Sequence, residues 1–260
     1  MGRAWIAARR PWIMERVRTG GPTMTDTTFE TRTGSLPGYL AVPDGPGPWP
    51  GVVVIHDVGG LTDDIRRHAD RLAAAGFFAA APNLYRGNAI RCVASMMRSL
   101  KTGVGPAVDD VEAVRDLIAA DPRCTGRMGA VGFCIGGGMC LVLAPRGSFD
   151  ATAPNYGNWP ADVDSLRRAC PVVASYGADD PTLKGAAVRL SALLEDAGVP
   201  RDVKEYQAVG HSFMNDWRNA PLRLRIFEML PSFRYSEAAS DDAWRRITDF
   251  FGEHLSGGQR

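Results

Sequence analysis

Cys134, Asp180 and His211 follow one another in an order, and with neighbours, that suit nucleophilic chemistry at a carbonyl carbon. Cys134 lies in Gly132-Phe133-Cys134-Ile135-Gly136, directly after the apolar run Met128–Val131. This is the G-x-nucleophile-x-G pattern of a sharp turn from a strand into a helix, with cysteine where serine is commoner. Glycines two residues either side keep the turn clear of the helix that follows. The free N–H groups at that helix start point toward the nucleophile and favour a thiolate and an oxyanion. A glycine-flanked cysteine can equally be structural, so the turn needs partners from elsewhere in the chain.

The partners arrive after later strand-like runs. Pro171–Tyr176 leads into Gly177-Ala178-Asp179-Asp180-Pro181, and Asp202–Gln207 leads into Gly210-His211-Ser212-Phe213. Nucleophile, acid, histidine is the chain order of the fold that uses a nucleophile elbow. Asp179 competes with Asp180 for the acid position, and Asp180 is preferred because Asp179 suits a cap of the next helix. In such a set His211 takes the Cys134 proton and the thiolate attacks an acyl carbonyl to form a thioester. The imidazolium then protonates the leaving oxygen, and the neutral imidazole later activates water while the carboxylate fixes its tautomer. Backbone donors for the oxyanion are expected from Ile135, directly after the nucleophile, and from Val58, in the turn after Gly51–Ile55.

The elements that must hold these residues alternate. Thr27–Thr33 and Leu36–Val42 read as a hairpin, and Gly51–Ile55 as a strand buried on both faces. A helix over 63–75, a strand over 77–81, a helix near 90–100 and another over 107–120 precede the elbow. After it come a helix over 136–144, strands over 151–156 and 171–176, and a helix over 184–197. A strand over 202–207 and a helix over 236–255 complete the series. This predicts an α/β fold, a doubly wound, mostly parallel sheet with helices on both faces and chemistry at the carboxyl ends of its strands. A single domain over 24–258 is expected. Residues 1–23 carry five arginines, two tryptophans and one acidic residue, and read as an extension outside the fold, with Met24 a plausible start.

Composition narrows the function classes. The 30 basic and 29 acidic residues leave a net charge of +1, which gives no electrostatic case for nucleic acid. Five cysteines without paired spacing suggest reduced thiols and a cytoplasmic setting, and no apolar run has the length of a membrane span. No cofactor or metal is expected, and the chain is taken as a monomer or homodimer. His56 is read as bonding locally, His68 and His254 as solvated, and Arg66-Arg67, Arg167-Arg168 and Arg245-Arg246 as solvated helix charges. Asp162 and Asp164 read as caps, and Cys92, Cys124, Cys140 and Cys170 as structural thiols.

The stretches Val54-Ile55-His56-Asp57-Val58-Gly59-Gly60, Ala81-Pro82-Asn83-Leu84-Tyr85-Arg86, Gly132–Gly137, Gly177–Asp180 and Gly210–Asn215 resemble the dienelactone hydrolase family, whose members are carboxymethylenebutenolidase-like. The ending Ala243-Trp244-Arg245-Arg246 with Phe250-Phe251 is also similar, so the likeness spans about residues 27–255. The resemblance implies an α/β-hydrolase fold and a compact carboxylic ester hydrolase without a large cap, and its G-x-x-D spacing supports Asp180. It further implies that Asp57 controls the resting thiol, one methylene shorter than the family's usual glutamate. Arg86 and Asn215 fall at or near positions where the family binds a substrate carboxylate with arginine. The expected substrate is a small lactone or ester; the alternatives are a thioesterase or acyltransferase, and a redox-sensing or binding protein built on Cys134.

Overall fold

The computed structural model describes residues 23–86, 89–219, 225 and 229–256. Eight strands form one sheet in the order β1-β2-β4-β3-β5-β6-β7-β8. They are β1 (Thr23–Thr31), β2 (Gly34–Val42), β3 (Trp49–Ile55), β4 (Phe78–Pro82), β5 (Cys124–Phe133), β6 (Ala151–Asn155), β7 (Val172–Gly177) and β8 (Arg201–Tyr206). The β1–β2 hairpin is antiparallel and joins antiparallel to β4, while all pairings from β4 to β8 are parallel. The helices are α1 (Asp63–Ala74), α2 (Ala89–Thr102), α3 (Pro106–Ala119), α4 (Ile135–Leu143), α5 (Ala186–Asp196) and α6 (Glu237–Leu255).

The β-branched run of β3 explains its central place. Val52 and Val54 face one core with α1 and α6, whereas Val53 and Ile55 face a second core with α2, α3 and α4. That period-2 split is what a strand covered on both sides requires. The helix boundaries follow from local chemistry. The Thr62 hydroxyl accepts the Ile65 N–H to start α1, and Pro106 opens α3, where its missing N–H costs nothing. In α6, Ala243, Trp244, Ile247, Phe250 and Phe251 line the buried side, each large side chain worth about 2–3 kcal/mol of burial.

The expected elements are all present, with ends moved by a few residues. Strand β1 begins at Thr23, inside the stretch expected to lie outside the fold, because Thr23 already pairs with Val42. The rest of the expected extension, residues 1–22, lies outside the described residues. Two of the side chains expected to be solvated, His68 and Arg246, are instead largely buried. His68 is buried, stacking on Phe133 at 4.4 Å and lying 3.5 Å from Asp64. It sits one turn from both Ile65 and Leu72, so helical period rather than the surrounding charges decides its side. Arg246 is also mostly buried, since its guanidinium reaches Asp202, Ser175, Tyr206 and the Ala174 carbonyl across the sheet end. Five donors in a planar fork let it satisfy that environment. Among the described residues no helix is long and apolar enough to cross a membrane.

Candidate active site

Cys134 links β5 to α4 as the N-cap, at φ 55° and ψ −114°. A side chain other than glycine is unfavourable there, at a cost on the order of 1–3 kcal/mol, so packing must impose the turn. It does so through close approaches. A Cβ on Gly132 would lie 2.1 Å from the Gly136 carbonyl oxygen, and one on Gly136 would lie 2.2 Å from that of Ile55. Asn155, at the end of β6, braces the turn from the other side: its carbonyl accepts the Cys134 N–H at 3.1 Å and its Nδ2 donates to the Gly132 carbonyl at 3.2 Å. The thiol is partly accessible. The Ile135 N–H, in the first turn of α4, has no partner within the helix.

His211 and Asp180 come from the loops after β8 and β7. Their strands are neighbours, and Gly177 lets the loops meet: a Cβ there would lie 2.4 Å from the Gly210 carbonyl oxygen. Asp180 Oδ2 accepts from His211 Nδ1 at 2.6 Å, while Asp180 Oδ1 accepts the Thr182 N–H at 2.9 Å and its hydroxyl at 2.7 Å. Asp180 is therefore buried with its acceptors used, whereas Asp179 is exposed. Burial would lower the His211 pKa, but hydrogen bonds to Asp180 and Cys134 outweigh it and raise the value to about 9. The imidazole is flanked by the rings of Tyr156 at 5.2 Å and Phe233 at 5.3 Å.

The turn after β3 faces this group. His56 is fully buried: its Nε2 accepts the Leu84 N–H at 3.0 Å, and its Nδ1 donates to the Asp57 carbonyl at 2.7 Å. An imidazole accepting at one nitrogen and donating at the other is neutral, and burial lowers its pKa to about 4. His56 thus bonds locally. Asp57 Oδ1 accepts the Gly59 N–H at 2.6 Å, bending the chain so that Val58 lies at the tip of the turn. Burial raises the Asp57 pKa to about 7, the Gly59 N–H opposes this, and Asp64 adds to it.

Asp57 and Asn215 are brought together, since Asn215 Nδ2 donates to Asp57 Oδ2 at 2.8 Å. The other end of the amide accepts from the Tyr156 hydroxyl. Arg86 is not brought to this cluster. Its guanidinium goes to the buried Asp110 at 2.7 Å, to the hydroxyls of Thr31 and Thr33, and to the Thr33 and Ser35 carbonyls. Instead of joining the residues expected to act with it, Arg86 forms a clasp between the hairpin and α3: the chain at Arg86, with φ 44°, turns the side chain toward the hairpin. No group of three or more His, Cys, Asp or Glu side chains among the described residues is placed to hold a metal.

A parallel sheet with helices on both faces and a strained cysteine turn at the end of its central β5 defines an α/β-hydrolase. The chain belongs to the dienelactone hydrolase family, which it matches over residues 36–255. A Methylorubrum extorquens protein with the provisional name carboxymethylenebutenolidase is 29% identical over 241 residues, covering 85% of this chain and 78% of its own. Two solved structures share the fold. A dienelactone hydrolase-like promiscuous phosphotriesterase from metagenomic libraries has a TM-score of 0.76 at 24% identity, covering 91% of this chain and 100% of that one. Dienelactone hydrolase from Anabaena variabilis has a TM-score of 0.65 at 16% identity, with the same coverage.

Sequence reasoning passed over Tyr156, Asn155 and Thr182. Tyr156 and Asn155 stand where β6 ends, level with the elbow, and position at a strand's carboxyl end is the signal that could have found them. Thr182, two residues after Asp180, donates its N–H to the Asp180 carboxylate in the local pattern of an Asx-turn.

Proposed function

We propose that the protein hydrolyses small lactones or esters through a thioester formed on Cys134. The observation that carries this reading is the 2.6 Å bond between His211 Nδ1 and Asp180, on an imidazole whose raised pKa also reflects the neighbouring Cys134 thiol. With Nδ1 committed to Asp180, Nε2 is the nitrogen left to exchange a proton with sulfur. The raised His211 pKa favours the imidazolium, the partner a thiolate needs. The thiolate attacks the acyl carbonyl, and the N–H groups of Ile135 and Val58 stabilise the tetrahedral oxyanion. As the intermediate collapses, the C–O bond breaks and the leaving oxygen takes the imidazolium proton; in a lactone it stays tethered as a hydroxyl or enol. Water, deprotonated by His211, then attacks the thioester and returns the thiol with a free carboxylic acid.

Family membership supports a carboxylic ester hydrolase. Incubation with p-nitrophenyl acetate and with dienelactone, before and after iodoacetamide, tests the reading alongside Cys134→Ala and His211→Ala. Acid quenching should trap an acyl adduct on the peptide holding Cys134. Turnover that survives alkylation and both substitutions would remove the proposal.

A further inference from the structure

The Asn215 amide joins three loops that come from different strands. Asn215 is buried, four residues past His211 in the loop after β8. Its Nδ2 donates to Asp57 in the turn after β3, and its Oδ1 accepts from Tyr156 at the end of β6. With Asp57 ionised both ends are specified, since a carboxylate can only accept and the hydroxyl must then donate to Oδ1. On the Asp57 side the constraint passes straight into the turn, because Oδ1 of the same carboxylate holds the Gly59 N–H at 2.6 Å. The Asp57 carbonyl is fixed as well, by His56 Nδ1 at 2.7 Å, the Tyr85 hydroxyl at 3.3 Å and the Gly60 N–H at 3.2 Å. The peptide between these anchors is the one that carries the Val58 N–H. On the Tyr156 side, the ring of the same tyrosine packs edge-on against His211.

We propose that Asn215 is a positioning residue that aims the Val58 N–H at the developing oxyanion and keeps that donor in register with His211. The proposal rests on the thioester reading above. Asn215 acts only through Asp57 and Tyr156. An oxyanion donor gains its full strength in the transition state, so a misaimed donor lowers kcat and leaves KM nearly unchanged. The thiol itself depends on His211 and Asp180, so its alkylation should not depend on Asn215.

The test compares Asn215→Leu, which keeps the size and removes both hydrogen bonds, with the reciprocal pair Asp57→Asn/Asn215→Asp. In that double variant Asn at 57 can accept from Gly59 and donate to Asp at 215, which still accepts from Tyr156, so every bond is restored with the charge moved. Removing one oxyanion donor outright costs about 10²–10³ in kcat, so misaiming one should cost roughly 10–100-fold in Asn215→Leu. KM should stay within about twofold and the iodoacetamide alkylation rate of Cys134 should be unchanged. The double variant should recover kcat to within a few-fold. A trifluoromethyl ketone, whose thiol adduct carries the oxyanion, should bind Asn215→Leu more weakly by the same factor as kcat.

Unchanged kcat in folded Asn215→Leu, or alkylation that falls in parallel with kcat, would overturn the proposal. If Asn215→Leu does not fold, the double variant decides alone: a folded double variant with kcat still down more than about tenfold overturns it, and recovered kcat supports it. Failure of the parent enzyme to turn over any ester or lactone would instead sink the thioester reading, and this inference with it.

Discussion

Replacing His211 by Asn should change how stability depends on pH in one direction and over one window. The His211 pKa is raised from 6.5 to about 9, because its bonds to Asp180 and Cys134 outweigh burial. A group whose pKa is raised on folding stabilises fully below its unfolded value and loses that contribution as pH rises through the folded one. At about 1.4 kcal/mol for each pH unit, the interval corresponds to about 3 kcal/mol, present at pH 6 and gone above pH 9. The imidazole is buried, so solvent screening removes little of it. His56 and Asp57 also titrate in the folded state, at about 4 and 7 with opposite effects on stability below pH 7; both remain in the variant, where Asp57 loses the nearby imidazolium charge that lowers its pKa. The informative quantity is therefore the difference in unfolding free energy between parent and His211→Asn, from urea titrations followed by tryptophan fluorescence at half-unit steps from pH 6 to 9.5. It should fall by about 3 kcal/mol, with a slope near 1.4 kcal/mol per pH unit between pH 6.5 and 9. In a Cys134→Ala background the fall should move to lower pH, since one of the bonds that raises the pKa is gone. A difference that is flat or grows with pH would refute the reasoning.

Asp180→Asn should fold normally yet lose about 10³–10⁴ in kcat, read by steady-state kinetics on p-nitrophenyl acetate. Thr182 keeps the amide oxygen, so Nδ2 is turned to His211 Nδ1 and forces the proton onto Nε2, where it blocks proton transfer from sulfur. Gly136→Ala should destabilise by at least about 2–3 kcal/mol, a fall of roughly 5–10 °C in Tm by calorimetry, because its Cβ would meet the Ile55 and His56 carbonyl oxygens at 2.2 and 2.7 Å. Arg86→Ala should cost about 2 kcal/mol in urea unfolding by leaving Asp110 buried with hydroxyl partners alone. Its KM values for charged and neutral esters should be the same as the parent's, and a selective rise for the charged ester would restore a substrate role.

The fold was legible wherever one period dominated the sequence. Gly51–Ile55 could only be a doubly covered strand, and α6 announced its buried side through Ala243, Trp244, Ile247, Phe250 and Phe251. Cys134, Asp180 and His211 were legible because glycines and strand ends mark loops that approach closely. His68 and Arg246 were misjudged because charge was weighed above period; both stand on the buried sides of their helices. Arg86 was misjudged for a different reason. Its neighbours in sequence say nothing of Asp110, 24 residues on, which receives it. Tyr156 and the Asn215 amide depend on contacts between loops 59 residues apart, a distance over which local sequence patterns carry no information.

The backbone at Cys134 has a consequence for how this protein would change over time. A positive-φ turn with a side chain on it is unfavourable backbone, and Gly132, Gly136 and Asn155 hold it there. Cys134→Gly should therefore raise the melting temperature while abolishing thiol chemistry, a gain in durability at the expense of work. A copy of this chain that had ceased to earn its keep by turnover would find that substitution open and rewarding.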